Sequence, residues 1–219
     1  LDIFAYQPVV LGYEIGEEKL ERYRRFMARL FSSLMQAKRF SQIRIPTKEN
    51  AVESGLEPDE YVNRMERAYN TDYDELLDAC IKAKDKLEGK SLITLCSGEN
   101  CKLSFDLTGR TWNIDAGDGD WPCGEIYIAP NESATNGTVF FHRLFIEDVG
   151  CFDDVTLHVE NGRLTQSDND EVTCYIQSLP AENAVVCELG LGMNPNVDSL
   201  CGYTELKKKM ANSFHIAIG

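Results

Sequence analysis

The spacing of apolar residues changes near residue 98, and this change limits the possible folds more than any other feature of the chain. From Glu17 to about Lys38 the apolar residues recur at the spacing of an amphipathic helix. After residue 98 they alternate in short runs separated by Gly, Asn and Asp. We therefore predict an α/β fold in which an N-terminal α/β unit (residues 1–98) precedes a mostly antiparallel β-rich domain (residues 99–219).

The first of these parts alternates between strands and helices. Thr71 is predicted as the N-cap of the last helix, and Gly89 as its end. Pro58 suits the first turn of the helix before it. The predicted strands are 1–10, 43–45 and 92–96, the last of them buried, and the predicted helices are 17–38, one from Glu57 and one from Thr71.

The second part is predicted to consist of short strands joined by turns. Asn161-Gly162 is typical of a tight turn between two paired strands. The run that contains Asp115, Asp118 and Asp120 lacks the spacing of a calcium loop and is interpreted as a glycine-rich connection. The predicted strands are 102–107, 139–146, 155–159, 172–176, 185–191 and 214–218.

Charge and hydropathy exclude several classes of partner. The 36 acidic and 22 basic residues give a formal charge of −14, and no basic stripe is present. This argues against nucleic acid or an anionic membrane surface as a partner. No run approaches the ~18 apolar residues of a membrane span, and no signal-peptide pattern precedes the helices. We expect a cytoplasmic protein.

The cysteines are not arranged as a disulfide or metal framework. The 219-residue chain has eight, and none of them lie in a CxxC pair. In a chain large enough for an apolar core, reduced and mostly buried thiols are expected. Cys123 lies two residues before Glu125, and Cys187 is next to Glu188. Neither cysteine has a basic neighbour in sequence that would lower its pKa, so a buried thiol is favoured over a nucleophile for both.

Three short glycine-bearing stretches each carry one possible metal ligand. In each stretch apolar residues occupy one face of a predicted strand, and the ligand candidate lies on the other face with small neighbours. Two carboxylates and one imidazole are a mixed oxygen and nitrogen donor set that suits Zn, Co, Mn or Fe. The candidates are Glu125 in Gly124–Pro130, Glu188 in Glu188–Pro195, and His215 in Phe214–Gly219.

The ordered motifs Gly-Glu-x-x-x-Ala-Pro, Glu-Leu-Gly-x-Gly-x-Asn-Pro and His-Ile-Ala-x-Gly resemble the metallo-aminopeptidases called aminopeptidase T and aminopeptidase S. The similarity is greatest to a shorter branch of that family and extends over roughly residues 70–219. Further matching segments are 106–110, 121–125 and 157–163.

The resemblance implies a cytoplasmic homodimer that holds two divalent metal ions in a cleft. It implies that Glu125, Glu188 and His215 are metal ligands, and that a carboxylate beside the metals acts as general base. Glu125 is our choice for that role, or for a ligand. The metals would bind the amino group and scissile carbonyl of a peptide and supply an activated water.

Two other functions stay open at this stage. The iron-dependent ring-cleaving dioxygenase of hydroxypyridine breakdown is similar in fold to these aminopeptidases, and it would require Fe and a small aromatic substrate. A catalytically degenerate binding protein is the third interpretation, since Lys207 and Lys208 stand where the family commonly has an Asp-Glu pair.

Overall fold

The computed structural model describes residues 2–5, 16–36, 41–48, 50–51, 56–117, 119–146, 149–197 and 204–219. Within these ranges the helices are α1 (Glu17–Met35), α2 (Pro58–Tyr69), α3 (Tyr73–Leu87), α4 (Asp170–Ser178) and α5 (Thr204–Lys209), with a 3₁₀ helix at Ala181–Ala184. The strands are β1 (Asp2–Ala5), β2 (Gln42–Ile45), β3 (Leu92–Ser97), β4 (Cys101–Asp106), β5 (Asn113–Asp115), β6 (Asp120–Trp121), β7 (Glu125–Ile128), β8 (Asn136–Ile146), β9 (Gly150–Glu160), β10 (Arg163–Ser167), β11 (Val186–Gly192) and β12 (Phe214–Ile218).

The described strands form three sheets, which confirm the predicted fold class. A small parallel sheet has the order β1-β2-β6. A five-stranded antiparallel sheet has the order β10-β9-β8-β4-β3, and a four-stranded antiparallel sheet has the order β12-β11-β7-β5. Helices therefore dominate the first part of the chain, and antiparallel strands dominate the second.

Two apolar clusters hold these elements together. The larger cluster joins the two antiparallel sheets to Leu76 and Cys80 of α3, and it includes Ile126, Ile128 and Leu189 from the strands that carry the ligand candidates. The smaller cluster packs α2 against residues near α5; its members are Ala51, Tyr61, Met65, Ala68, Val197 and Leu206. None of the helices in the described ranges is both long and apolar enough to cross a membrane.

The helix and strand predictions of the first part are confirmed with small shifts. Pro58 is in the first turn of α2, as predicted. The cap of α3 is Asp72, not Thr71, because the Asp72 side chain accepts hydrogen bonds from the amides of Asp74 and Glu75. Of the predicted strand 1–10, the structure describes residues 2–5, which form β1. Residues 37–38 of the first predicted helix lie outside the described residues.

Two strand predictions need correction. Segment 172–176 is helical, because the Asn169 side chain caps the amide of Val172 and so starts α4; Val172 and Ile176 lie one turn apart on its buried face. Strand β3 is not buried: Leu92 is 64% exposed, since β3 is at the edge of its sheet.

The predicted turn at Asn161-Gly162 is confirmed, whereas the predicted domain division at residue 98 is not tested. Asn161 and Gly162 form the turn between β9 and β10, with φ angles of 51° and 78° that favour Asn and Gly. The domain division at residue 98 stays a prediction. That residue lies in the turn of the hairpin that pairs β3 with β4.

Candidate metal centre

The pairing of β7, β11 and β12 places all three ligand candidates on one face of the four-stranded sheet. Glu125 of β7 pairs with Gly192 of β11, and Gly190 of β11 pairs with His215 of β12. Because alternate residues of a strand share a face, Glu188, Gly190 and Gly192 lie on the same side. Strand register, rather than nearness in sequence, therefore brings the candidates together.

The imidazole of His215 lies between the two glutamates. Its Nε2 is 3.2 Å from Glu188 Oε1 and 3.4 Å from Glu125 Oε2. The hydrogen bond from His215 lowers the pKa of Glu188, against the opposing effect of burial. Glu125 is 8% exposed, so it is not an ordinary surface carboxylate.

Gly190 is required because the His215 ring lies directly over its backbone. A Cβ atom at position 190 would be 2.0 Å from His215 Cε1 and 2.2 Å from Nε2. Real Cβ atoms essentially never approach another heavy atom within 3.0 Å. The glycine of the second motif thus creates the space for the histidine of the third.

Gly192 makes room in the same way for the backbone at the end of α5, whose last residue is Lys209. A Cβ atom at position 192 would be 2.0 Å from the carbonyl oxygen of Met210. The close approach of this backbone places Lys209 Nζ 2.5 Å from Glu125 Oε1 and 2.6 Å from Asp115 Oδ2. Burial would lower the pKa of Lys209, but the charges of Glu125 and Asp115 outweigh it and raise the pKa.

Asp115 is a site residue that the sequence analysis missed. It ends β5 opposite Glu125 in the sheet and is 8% exposed, so the interpretation of this position as part of a loose connection is wrong. Burial raises its pKa to about 6, although Lys209 acts in the opposite direction. Asp120 belongs to β6, and Asp118 lies outside the described residues. The alternation of Asp115 with Ile114 is the one local signal that could have identified it.

The donor atoms fit a divalent ion in part. Glu125 Oε2 is buried without a hydrogen-bond partner, as is Asp115 Oδ1, whereas the unpartnered nitrogen of His215 is Nδ1 and not the Nε2 that lies beside the glutamates. Metal–ligand bonds of about 2.0–2.2 Å at tetrahedral angles separate two ligands by roughly 3.3–3.6 Å, which is close to the 3.2 and 3.4 Å measured around His215 Nε2. Still, no three Cys, His, Asp or Glu side chains in the described ranges form a ready-made metal-binding group.

Asn194, the asparagine of the second motif, has a structural role. It is fully buried, and its Nδ2 donates to the carbonyl oxygens of Ala68 at 3.1 Å and Cys123 at 2.9 Å. Its Oδ1 accepts from the Thr71 hydroxyl and from the Asn196 amide, both at 2.9 Å. This side chain therefore connects the end of α2 to the segment before β7, where Glu125 lies.

Neither Cys123 nor Cys187 has the environment of a nucleophile. Burial and then the charge of Asp115 raise the pKa of Cys123 to about 12, and burial and then Glu188 raise that of Cys187. Both effects disfavour the thiolate, as the sequence analysis expected. The seven described cysteines are free thiols, but only Cys80 and Cys123 are buried, so the expectation of mostly buried thiols is wrong for the described residues, and Cys187 is only partly buried. Cys201 lies outside the described residues.

A cavity of about 370 Å³ borders the edge of β12 and reaches His215. Its wall is mostly apolar, with three basic side chains. It is lined by Phe141, Leu144, Phe145 and Ile146 of β8, Leu157 and Val159 of β9, Tyr175 and Ile176 of α4, Phe214 to Ile218 of β12, and by Arg143, Lys207 and Lys208 among others.

Solved structures of two enzymes share this fold. No protein-family model and no curated protein matches the sequence. Wild-type AmpT (aminopeptidase T) from Thermus thermophilus superimposes with a TM-score of 0.68 at 18% identity, over 99% of this chain and 61% of that one. The 2,5-dihydroxypyridine dioxygenase from Pseudomonas putida KT2440 gives 0.55 at 16% identity, over 88% and 61%.

At these identities the similarity shows the fold alone. The chain spans about three fifths of the length of each enzyme. The predicted relation to aminopeptidase T is thus confirmed at the level of the fold, and the chain has the fold of an aminopeptidase and of a dioxygenase.

Proposed function

We propose that this protein is a metal-dependent aminopeptidase-like hydrolase, which removes N-terminal residues from peptides. The observation that carries the proposal is the meeting of His215 Nε2 with Glu125 and Glu188 within 3.4 Å. These are the residues that the three motifs single out, and each comes from a different strand of one sheet.

Glu125, Glu188 and His215 would hold the metal. Bound there, a divalent ion such as Zn, Co or Mn would supply an activated water for attack on the scissile carbonyl. The resemblance implies two such ions.

The charge of the site suits a divalent cation. Asp115, Glu125 and Glu188 provide three carboxylates, against the one ammonium of Lys209. This excess of negative charge favours a bound cation in a partly buried site.

Glu125 is the carboxylate best placed for proton transfer or for ligation. Lys209 holds its Oε1, which leaves Oε2 directed toward His215 without a hydrogen-bond partner. In the first role Oε2 would take a proton from the attacking water; in the second it would be a ligand. The cavity beside His215 has room for an apolar side chain of the substrate.

We further propose that the enzyme acts in the cytoplasm as a homodimer. Both features come from the resemblance to the aminopeptidase family. The acidic surface, with a formal charge of −14, is consistent with a protein that binds neither nucleic acid nor an anionic membrane.

The test compares free and N-acetylated peptides with metal-loaded protein. We expect release of the N-terminal residue from peptides with a free amino group, and none from the acetylated peptides. Glu188→Ala should remove both metal and activity. A Glu188→Ala protein with full metal content and full turnover would refute the proposal.

A second candidate is an iron-dependent ring-cleaving dioxygenase, which the TM-score of 0.55 to the dihydroxypyridine enzyme favours. In that case purified protein would contain Fe, and oxygen uptake would follow the addition of a dihydroxylated pyridine. Protein that binds metal substoichiometrically at saturation and turns over neither substrate would favour the degenerate binding protein instead.

A further inference from the structure

Helix α1 presents a row of large apolar side chains to solvent. Tyr23, Phe26 and Leu30 are spaced by three and four residues, so they lie on one side of the helix. All three are exposed, and Phe26 is 62% exposed. A contiguous apolar surface on the outside of a protein marks an interaction site.

Basic residues are concentrated in and after this helix. Residues 22–48 contain eight of the 22 basic residues of the chain and none of the 36 acidic ones, which corrects the expectation that no basic stripe is present. Arg22 and Arg29 are exposed and flank Phe26, since they precede it by four residues and follow it by three. The surface of α1 is therefore apolar and basic, whereas residues outside 22–48 carry 36 acidic and 14 basic side chains.

A groove between β2 and α2 has the complementary properties. It has a volume of about 520 Å³ and is open to solvent; we call it the β2–α2 groove, and it is lined by Ile45, Pro46, Val62, Glu66, Tyr69 and Asn70. The apolar Ile45 is 45% exposed, and residues 57–66 beside it carry four exposed acidic residues against one basic residue. The Tyr69 hydroxyl donates to the carbonyl oxygen of Arg44, which connects α2 to β2 and fixes the shape of the groove.

We propose that α1 of one copy of this chain lies in the β2–α2 groove of a second copy. The apolar row of α1 would fill the groove, and the flanking arginines would face the acidic residues of α2. Under a two-fold axis the contact is made twice, because each copy supplies one helix and one groove. The inference rests on the homodimer of the proposed function and names the surface that forms it.

The size of the contact supports this reciprocal arrangement. Helix α1 has 19 residues, so it is about 28 Å long and about 10 Å wide. One helix in one groove therefore buries at most roughly 560 Å², with both surfaces counted. Two such contacts reach about 1,100 Å², close to the roughly 1,200 Å² at which specific interfaces begin, whereas a single contact is much too small.

Sedimentation velocity of the metal-free full chain tests the inference without any assay of activity. Phe26→Asp changes only the helix, and Ile45→Asp changes only the groove. Leu92→Asp is the matched control, since Leu92 is 64% exposed on a different sheet. We expect a dimer in the wild type and in Leu92→Asp, and a dissociation constant at least about tenfold higher in each of the other two variants.

Salt and a second copy of the measurement on vesicles complete the test. Raising NaCl from about 50 mM to about 500 mM should increase the dissociation constant of the wild type, because salt screens the contacts between arginines and carboxylates. Wild-type protein that is monomeric would overturn the inference. Monomeric protein that sediments with phosphatidylserine vesicles would assign α1 to an anionic membrane surface instead.

The two variants distinguish the groove from other surfaces. A dimer that is lost in Phe26→Asp but kept in Ile45→Asp would overturn the inference, because α1 would then pack outside the groove. Both substituted side chains are exposed, so both variants should fold, as circular dichroism will show; if one does not, the other decides.

The outcomes separate this inference from the proposed function. Dimers that are lost in both variants support the role of α1 and the groove, whether or not metal-loaded wild type hydrolyses peptides. A dimer that survives both substitutions overturns the inference and leaves the proposed homodimer and the peptidase standing.

Discussion

Replacing Gly190 by alanine should destabilise the protein through one specific clash, with the ring of His215. The added Cβ would lie 2.0 Å from His215 Cε1, so the ring must move at least 1.0 Å to reach the 3.0 Å limit of real contacts. Forced displacement of a packed side chain typically costs about 1–3 kcal/mol. We expect the free energy of unfolding of Gly190→Ala to fall by that amount, measured by urea denaturation.

A double-mutant cycle isolates the clash from the other effects of the substitution. In a His215→Ala background the added methyl group meets no imidazole, and Gly→Ala in an unstrained backbone is neutral or stabilising by up to about 1 kcal/mol. The coupling energy between positions 190 and 215 should therefore be about 1–3 kcal/mol. Equal destabilisation in both backgrounds would refute the argument, because the cost would then arise from the strand itself.

Three more predictions concern other buried groups. Asn194→Ala should lower the free energy of unfolding by at least about 3 kcal/mol in chemical denaturation, because several buried groups lose their partner; a loss below about 1 kcal/mol would contradict the connecting role of this side chain. Iodoacetamide at pH 8 should modify exposed Cys96 long before Cys80 and Cys123, whose pKa values are raised to about 11 and about 12, as peptide mass mapping would show; equal rates would be inconsistent with their burial. The folded pKa of Asp115 is raised from 3.8 to about 6, so its contribution to stability is complete below pH 4 and is lost as the pH rises through 6. Between pH 4 and 7 the free energy of unfolding of the wild type, relative to Asp115→Asn, should fall by at most about 3 kcal/mol; a rising difference would contradict the sign.

The sequence predicted what depends on the local pattern of the chain. Period-two alternation placed Glu125, Glu188 and His215 opposite apolar residues, and the burial of Ile126, Ile128 and Leu189 agrees with that placement. The small neighbours of the ligand candidates were also identified, although their purpose was visible only once Gly190 was seen beneath the imidazole.

What the sequence could not predict depends on register between distant segments. Asp115 and Lys209 are 94 residues apart in sequence, and they meet only because β5 pairs with β7 and the end of α5 lies against Gly192 of β11. Segment 172–176 was mistaken for a strand because its apolar residues fit either period, and the cap at Asn169 decides between them. Thr71 was predicted as the N-cap because acidic residues follow it, yet Asp72 caps α3 and the Thr71 hydroxyl bonds to Asn194.

The amide of Asn194 also has a consequence for how the molecule opens. It bonds to the carbonyl oxygens of Ala68 and Cys123, which are separated by more than fifty residues and belong to different layers. Detaching α2 therefore breaks a contact beside the segment that leads into Glu125. We expect the amides of α2 and β7 to exchange hydrogen in one cooperative unit rather than in two. Fluctuations of α2 would then be transmitted to the carboxylates.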